Sequence, residues 1–380
     1  MAGLRYLVLV GAVAGCADAG TPTATVRDSA GIRIVEAPAA DRPLPWTFTE
    51  VARVGGELEG PESFVAVNEQ LVRSDGADRF YVLDPEAKVL HAFGADGRSL
   101  GDLGRQGGGP GEFQMVFSIV AASPVEVGVF DFSKLAVVAF TPDGESGAER
   151  RLPERLGGWR KLVLSGDTAA ASVDRTDSTA TKKELVLATP NDTVTIASLE
   201  GAPKRMIQLS CVSFMMEPFF SPGLAWALEG NQLLVANQAQ YSIQHFLGDN
   251  LDLIVRRDIA PRPATAEAVA RQQPEGFRMR FGGGGECRAE TEEVVSKAGM
   301  APTIPVVNQV TFGPRETIWV SRYTIGDEPK LVDVFDRDGV YLGTTDRMPL
   351  GVLAGDRVLF RIADAESGTE YVGIYTVRAN

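Results

Sequence analysis

Short apolar runs recur along the chain, and each clear copy ends in an aromatic residue followed by a tight turn. The turn carries an acidic residue and then Gly or Asn, which tolerate positive φ and so close a β-hairpin at little steric cost. A degenerate copy has Ala188 at the aromatic position, and a final copy has Tyr375 there. The pattern predicts six copies of one hairpin. The aromatic residues of the four clear copies are Phe93, Phe140, Phe246 and Phe335.

Each copy has a second strand-like run just upstream, and this run ends near a small polar residue. Another run precedes it and a fourth follows the turn, so that one unit contains four strands. Four antiparallel strands repeated six times, at intervals of roughly 40–60 residues, form the period of a β-propeller. We therefore predict an all-β chain folded as a six-bladed β-propeller of four-stranded blades. The residues that end the second strands are Asp84, Asp131, Asp174, Asn237, Ser321 and Ala363.

The two ends of the chain are predicted to share one blade. The segment from Val54 to Phe64 is repeated from Leu103 to Phe113, with its Gly, Pro and Phe anchors 49 residues apart. The second copy follows the outer strand of the first blade, so the strand from Trp46 that precedes the first copy should also be an outer strand. Its three inner strands would then lie within residues 350–380. An N-terminal outer strand that joins the C-terminal blade leaves no open sheet edge.

Two segments depart from the blade pattern. Residues 259–304 contain two stretches of helical periodicity around a Gly-rich run, and residues 211–220 are rich in Phe and Met. Long excursions between propeller strands usually lie on one face of the disc, where such folds bind ligands, so we expect a cap on that face. A plug packed between blades is the alternative for the second segment. The apolar residues of the candidate binding face are Phe214, Met215, Met216, Phe219 and Phe220.

The N-terminus is typical of a bacterial export signal. Arg5 precedes an apolar run that is too short to span a bilayer as a mature helix, and the run ends in a lipobox-like VAGC whose last residue is Cys16. Acylation of Cys16 would anchor the protein to a membrane, facing the periplasm or the cell surface, through lipid alone. Cleavage by an ordinary signal peptidase at the A-x-A site over residues 17–19, or a buried strand, are the alternatives.

The predicted organisation follows from these signals. It consists of a lipoprotein signal peptide over residues 1–15, a linker and lead-in strand over residues 16–45, and the propeller over residues 46–380, with a partly helical insertion at about residues 259–304.

Cys211 and Cys287 are the two cysteines that remain once the signal is removed. An even pair in an exported chain is a disulfide candidate, and a bond would close a loop of 76 residues. Two small buried hydrophobes are the alternative. A bond would join the two excursions into one unit.

Acidic residues outnumber basic ones by 50 to 37, which gives a formal charge of −13. This balance disfavours nucleic acid as a partner, because its phosphates require patches of Lys and Arg. It also disfavours electrostatic adsorption to anionic lipid.

No set of residues predicts a catalytic site. His91 and His245 are the only histidines, and both fall in third strands, away from the axis where metal or imidazole chemistry would converge. The polar residues that end the second strands could form a Ca²⁺ ring, but their recurrence in blade after blade favours local backbone hydrogen bonds. The run over residues 104–113 lacks the Gly-Lys-Ser/Thr of a phosphate loop and favours a crossover between blades. No metal or cofactor is therefore predicted.

Three segments resemble a known family. DSAGIRIVE at residues 28–36, GRQGGGPGEF at residues 104–113, and FYVLD followed by FGADG from Phe80 are similar to segments of bacterial six-bladed β-propellers related to NHL-repeat proteins. The resemblance covers nearly the whole mature chain and implies the propeller fold. Many members of this family carry a lipobox. The resemblance implies no particular activity.

These features together favour a binding or scaffold module over an enzyme. We expect a monomeric, lipid-anchored propeller that presents one face to a protein, a peptide or a glycan. The alternative is a metal-dependent hydrolase or lactonase of the six-bladed type, which would use Ca²⁺ held on the axis by Glu, Asn and Asp.

Overall fold

The computed structural model describes residues 24–56, 67–152, 156, 159–176, 180–280, 285–364 and 368–379. The predicted export signal, Cys16 and most of the first copy of the repeated crossover lie outside these residues. No helix within the described residues is long and apolar enough to cross a membrane.

The chain begins with three strands and then builds its blades in order. The first strands are β1 (Thr25–Ser29), β2 (Ile32–Ala37) and β3 (Trp46–Gly55). Blade 1 is β4–β7 (Val72–Ser74, Arg79–Asp84, Val89–Gly94, Ser99–Leu103). Blade 2 is β8–β11 (Val116–Ser123, Glu126–Asp131, Ala136–Phe140, Arg150–Arg151). Blade 3 is β12–β15 (Trp159–Ser165, Thr168–Thr176, Thr181–Ala188, Thr193–Gly201).

The second half contains the remaining blades and two excursions. A hairpin of β16 (Arg205–Gln208) and β17 (Ser213–Met216) precedes blade 4, which is β18–β21 (Leu224–Glu229, Gln232–Asn237, Ser242–Leu247, Asn250–Arg257). Then follow α1 (Ala266–Gln272), β22 (Phe277–Arg280), β23 (Glu286–Ala289) and α2 (Thr291–Ala298). Blade 5 is β24–β27 (Val307–Gly313, Thr317–Arg322, Val332–Phe335, Tyr341–Thr345). Blade 6 is β28–β30 (Pro349–Leu353, Arg357–Ala363, Glu370–Ala379) together with β3.

The strand pairing confirms the predicted six-bladed propeller and its closure. β3 pairs antiparallel with β30, from Trp46 opposite Ala379 to Gly55 opposite Tyr371, so the N-terminal strand completes the C-terminal blade. Around the axis each inner strand contacts the next, from β4 through β8, β12, β18, β24 and β28 and back to β4. The ring therefore has no gap between its first and last blades.

The core is divided among the interfaces between blades. Strand residues alternate between two sheet faces, and in a propeller both faces of a blade are covered by its neighbours. Six apolar clusters result, one at each interface from blades 1 and 2 round to blades 6 and 1. At the first of these interfaces Phe113 meets Phe140 edge-on, with ring centroids 5.7 Å apart. Burial of such faces is the main stabilising contribution to the disc.

The predicted Asp-Gly turns adopt the expected backbone in three blades. Gly97, Gly144 and Gly339 have φ of 81°, 89° and 82°, which L side chains rarely adopt. The turn of blade 4 differs from the prediction. There the positive φ, 64°, belongs to Gly248, and Asn250 is already the first residue of β21. The loop is therefore Gly-Asp rather than Asp-Asn.

Blade 4 has six strands rather than the predicted four. β2 pairs parallel with β21, from Arg33 opposite Leu253 to Ala37 opposite Arg257, and β1 pairs with β2. Val35 is fully buried in the interface between blades 4 and 5, so the burial of its apolar side chain stabilises β2 at this edge. The lead-in strand thus covers an edge that would otherwise be open.

Candidate functional site on the capped face

Both excursions from the blade pattern lie on one face of the disc. The first connects the outer strand of blade 3 to the inner strand of blade 4, and the second connects blade 4 to blade 5 in the same way. Because the blades are related by rotation about the axis, all outer-to-inner connections cross the same face. We call residues 202–223, 258–280 and 285–306 the cap, and the side that they cover the capped face.

The cap has a core of its own. Cys211 and Cys287 form a disulfide with their Cα atoms 5.7 Å apart, which joins the β16–β17 hairpin to the β22–β23 hairpin. Cys287 is fully buried in a cluster that includes Ile207, Val294 and Ala298. Because Val294 and Ala298 are four residues apart, they lie on one face of α2. The two excursions are therefore one packed unit.

The predicted apolar patch is divided between packing and exposure. Phe220 is buried against α1, and Phe214 stacks on Phe277 with ring centroids 5.3 Å apart and planes 4° apart. Met216 and Phe219 are half-buried and pack against the cap core. Met215 alone points outward, with half of its surface exposed. Four of the five residues thus stabilise the cap, and one is available for contact.

An open groove of about 440 Å³ separates β17 from blade 3. We call it the blade-3 groove. Met215 and Glu217 line its cap side, while Asp174 and Lys183 line its blade side. The Lys183 ammonium donates to Glu217 at 2.6 Å and so ties the cap to the blade. The sequence analysis did not predict this groove; its one signal is the charged run at the start of β14, in an otherwise apolar third strand.

Asp174 carries the main electrostatic feature of the groove. Its carboxylate accepts a 2.9 Å bond from Arg160 and a 3.1 Å bond from Lys204. Burial works to raise the pKa of Asp174, but Lys204 and Arg160 outweigh it and hold this pKa below its usual value. The carboxylate is therefore ionised at neutral pH, and it fixes two cations at the rim of the groove.

Three of the polar residues that end second strands, Asp84, Asp131 and Asn237, have the predicted turn role. Asp131 accepts backbone N–H bonds from residues on both sides of it, including Gln114 at 2.6 Å and Ser133 at 2.8 Å. Asp84 accepts from the N–H of Glu86 at 2.8 Å, and the Asn237 side chain accepts from Ala239 at 3.0 Å. Asp174 differs, because its partners are side chains. Within the described ranges no group of three or more His, Cys, Asp or Glu residues could hold a metal ion.

The two histidines lie in third strands, as predicted. The Nδ1 atom of His91 is 2.7 Å from a carboxylate oxygen of Asp102, and the Nδ1 atom of His245 is 2.6 Å from Asp252. Both carboxylates belong to the outer strands of the same blades. Each histidine thus links two neighbouring strands at a distance from the axis.

The Gly-rich crossover over residues 104–113 holds its own anionic side chain. Glu112 folds back and accepts a 2.8 Å bond from the N–H of Gly109 and a 2.9 Å bond from Arg105. A Cβ on Gly104 would lie 2.3 Å from the ring of Phe113, so this glycine is required by close packing. The Gly109 N–H and Arg105, two donors that a phosphate could use, already bind Glu112, which favours the crossover role.

Comparisons with known proteins show similarity in fold and carry no information on function. No family model matches the chain, and no curated protein matches it. Among solved structures, it is similar to a "putative exported protein" from Bacteroides fragilis, with a TM-score of 0.51 and 11% identity over 91% of this chain and 99% of that one. A member of the duf4221 family from Bacteroides vulgatus matches with a TM-score of 0.49 and 8% identity over 89% of this chain and 100% of that one. The calcium-binding protein regucalcin from Agrobacterium tumefaciens matches with a TM-score of 0.37 and 10% identity, over 91% and 97%.

At these identities the likeness concerns the fold alone. The fold and the site define the class of the chain: it is a six-bladed β-propeller, closed between its two ends, with a disulfide-linked cap on one face.

Proposed function

We propose that the protein is an exported, lipid-anchored binding module that captures an extended peptide segment of a partner protein in the blade-3 groove. The observation that carries the proposal is the open strand edge beside this groove. β17 pairs with β16, and with no other strand of the described residues. An edge strand presents backbone N–H and C=O groups to which an extended peptide can add as a further strand.

Exposed methionines supply an apolar surface next to this edge. Met206 and Met215 are directly opposite each other on β16 and β17, with 63% and 50% of their surfaces exposed. Methionine is unbranched and polarizable, so it adapts to apolar side chains of different shape. Two such side chains on a disulfide-linked hairpin support binding of a peptide with apolar anchors.

The groove is lined by charges of both signs that are held in ion pairs. Arg160, Asp174 and Lys204 form one set, and Lys183 and Glu217 form another. Fixed polar groups around an apolar contact give the usual anatomy of a protein interface. Since both signs are present, the groove does not require a strongly charged ligand.

Export is supported by two features of the chain. The lipobox-like run ends at Cys16, and a disulfide between Cys211 and Cys287 suits an oxidising compartment outside the cytosol. An anchored propeller with its cap free would present the groove to partners near the membrane surface.

A selection with a random linear-peptide phage library tests the proposal. Peptides enriched on the wild-type protein are synthesised, and their affinity is measured by fluorescence anisotropy. We expect Met215→Glu to weaken binding by about tenfold or more, because it places a charge in the apolar contact.

Val125→Glu is the matched control. Val125 is 75% exposed in the hairpin between β8 and β9, on the face opposite the cap. This variant should bind like the wild type. Equal affinities for all three proteins, or no enrichment of any peptide, would remove the blade-3 groove as the recognition site.

A further inference from the structure

The axis of the propeller contains a cavity of about 320 Å³ that the proposed function does not use. Residues of all six inner strands line it. Two of its lining residues are cations, Arg73 on β4 and Lys161 on β12, and three are the carboxylates Glu69, Asp75 and Glu229. The Asp75 carboxylate already accepts hydrogen bonds from the backbone N–H groups of Ala77 and Arg79.

Strand register gives the height of these side chains along the axis. In blades 1, 3 and 4, one residue of the inner strand is in register, through the second strand, with the aromatic position of the third strand. These inner-strand residues are Ser74, Leu164 and Leu228. They define one common level, because the blades are related by rotation. The inner strands run in one direction, so positions before and after this level lie towards opposite ends of the channel.

The two cations occupy the middle of the channel. Lys161 is three residues before the common level and Arg73 is one residue before it. At about 3.3 Å per residue, their Cα atoms differ in height by about 7 Å. Glu229 is one residue after the level at the end of β18, and Glu69 precedes β4 at the other end. Asp75 is also one residue after the level, so all three carboxylates lie outside the two cations along the axis.

Neither cation has a carboxylate partner at ion-pair distance within the described part of the chain. The Lys161 ammonium donates to the carbonyl oxygen of Trp226 at 3.0 Å and lies 4.9 Å from the centre of the Trp226 ring. The Nε–H of Arg73 is buried and has no hydrogen-bond partner among these residues. Buried cations are ordinarily paired, so two cations in one cavity with no carboxylate at ion-pair distance need an explanation.

The titration of both groups reflects this environment. Burial lowers the pKa of Lys161 to about 8; the charge of Glu69 opposes this shift and that of Arg73 adds to it. Burial lowers the pKa of Arg73 to about 10, against the charges of Glu69 and Glu229. An anion between the two cations would relieve the repulsion and satisfy the free guanidinium donor.

We infer that the axial channel binds a small oxyanion, a phosphate or a carboxylate, between Arg73 and Lys161. Arg suits this role because its planar donors match the oxygen atoms of either group. The site is separate from the blade-3 groove, so either proposal can fail alone.

Thermal unfolding with inorganic phosphate or succinate, at an ionic strength held constant with sodium chloride, tests the inference. A ligand that binds the folded state raises Tm as its concentration increases, in a saturable way. We expect one or both anions to do so with the wild type. We expect Arg73→Met and Lys161→Met each to weaken the apparent affinity by about tenfold or more, because a charge-assisted hydrogen bond is lost.

Lys330→Met is the matched control, since Lys330 is exposed and lies outside the channel. It should respond to the anions as the wild type does. The inference is overturned if neither anion raises Tm beyond chloride, or if all variants respond equally.

A pH series with succinate, whose charge is constant above neutral pH, gives a second readout. Affinity should fall as pH rises through about 8, because the Lys161 ammonium then loses its proton. Lys161→Arg should bind succinate without this fall, and it keeps the inference testable if Lys161→Met does not fold. Identical pH profiles for the wild type and Lys161→Arg would contradict the role of Lys161.

Discussion

The hydroxyl of Tyr375 donates a 2.6 Å hydrogen bond to the carboxylate of Glu50, which lies 325 residues earlier in the chain. The two residues face each other across the β3–β30 pair that closes the ring. Arg53 also donates to Glu50, at 2.6 Å and 2.9 Å. A side-chain network therefore accompanies the backbone ladder at the closure.

Tyr375→Phe should destabilise the propeller by about 1–3 kcal/mol, because it removes a hydrogen bond to a charged group. Urea unfolding measures the change. Tyr371→Phe in the same strand is the control, since no hydrogen bond of the Tyr371 hydroxyl occurs among the described residues. Equal losses in both variants would show that the Glu50 contact contributes nothing specific.

The same pair predicts how stability depends on pH. Burial would raise the pKa of Glu50, but hydrogen bonds from Tyr375 and Arg53 outweigh it and hold this pKa below its usual value. The contribution of Glu50 is therefore present at neutral pH and is lost as pH falls through its lowered pKa. Burial, with the adjacent Glu50 carboxylate, raises the pKa of Tyr375 to about 12. Its contribution is complete below the unfolded pKa of about 10 and is lost as pH rises to about 12.

Asp333 pairs with two arginines, Arg257 and Arg322, between blades 4 and 5. A carboxylate oxygen of Asp333 is 2.9 Å from the guanidinium of Arg257. The carboxylate also accepts two hydrogen bonds from the guanidinium of Arg322, at 2.9 Å and 2.7 Å. The hydroxyl groups of Tyr241 and Thr344 each donate to it at 2.6 Å. Asp333 and Arg257 have fully buried side chains.

Asp333→Ala should cost about 3–5 kcal/mol, because the guanidinium groups of Arg257 and Arg322 lose their buried counter-charge and keep only the partly exposed carboxylate of Asp41. Asp338→Ala is the control, since Asp338 is an exposed turn residue of the same blade. Chemical denaturation of the two variants gives the comparison. A loss below about 1 kcal/mol for Asp333→Ala would mean that the pair of arginines is stabilised by other contacts.

The repeat could be predicted because its signals are local. Phe140 and Gly144 lie in one hairpin, so an aromatic position and a positive-φ turn are visible within a few residues. The sharing of a blade between Trp46 and the C-terminal strand was also predictable, since a duplicated crossover fixes where an outer strand ends. These features establish the blade number and the closure from the chain alone.

The candidate sites could not be predicted in the same way. Arg73 and Lys161 meet in the channel only because blades 1 and 3 face a common axis, and the spacing between them in the chain follows no repeat. The pairing of β2 with blade 4 depends on the burial of Val35 in the interface between blades 4 and 5. This interface is built from residues that are far from Val35 in the sequence. Contacts of this kind depend on how the blades are arranged in three dimensions.

Cys211→Ser should loosen the cap and leave the blades intact. The disulfide spans 76 residues, and in the chain-entropy model a loop of this length contributes about 4–5 kcal/mol. Because the bond joins two cap hairpins and no blade strand, hydrogen–deuterium exchange should become faster in β16 and β17 but not in blade 1. Faster exchange throughout all blades would show that the cap is required for the disc itself.

Acylation is predicted at Cys16. Metabolic labelling with a fatty-acid analogue in a bacterial host should label the wild type and not Cys16→Ala. The variant should also leave the membrane fraction. Equal labelling of the two proteins would show that Cys16 is not the acylated residue.

The central claim is that the capped face recognises an extended peptide beside β17. Hydrogen–deuterium exchange of the wild-type protein, with and without a selected peptide, tests it most directly. We predict slower exchange in β17 and in the start of β14, and unchanged exchange in the β8–β9 hairpin on the opposite face. Protection confined to that opposite face, or no protection at β17 with the peptide bound, would contradict the account.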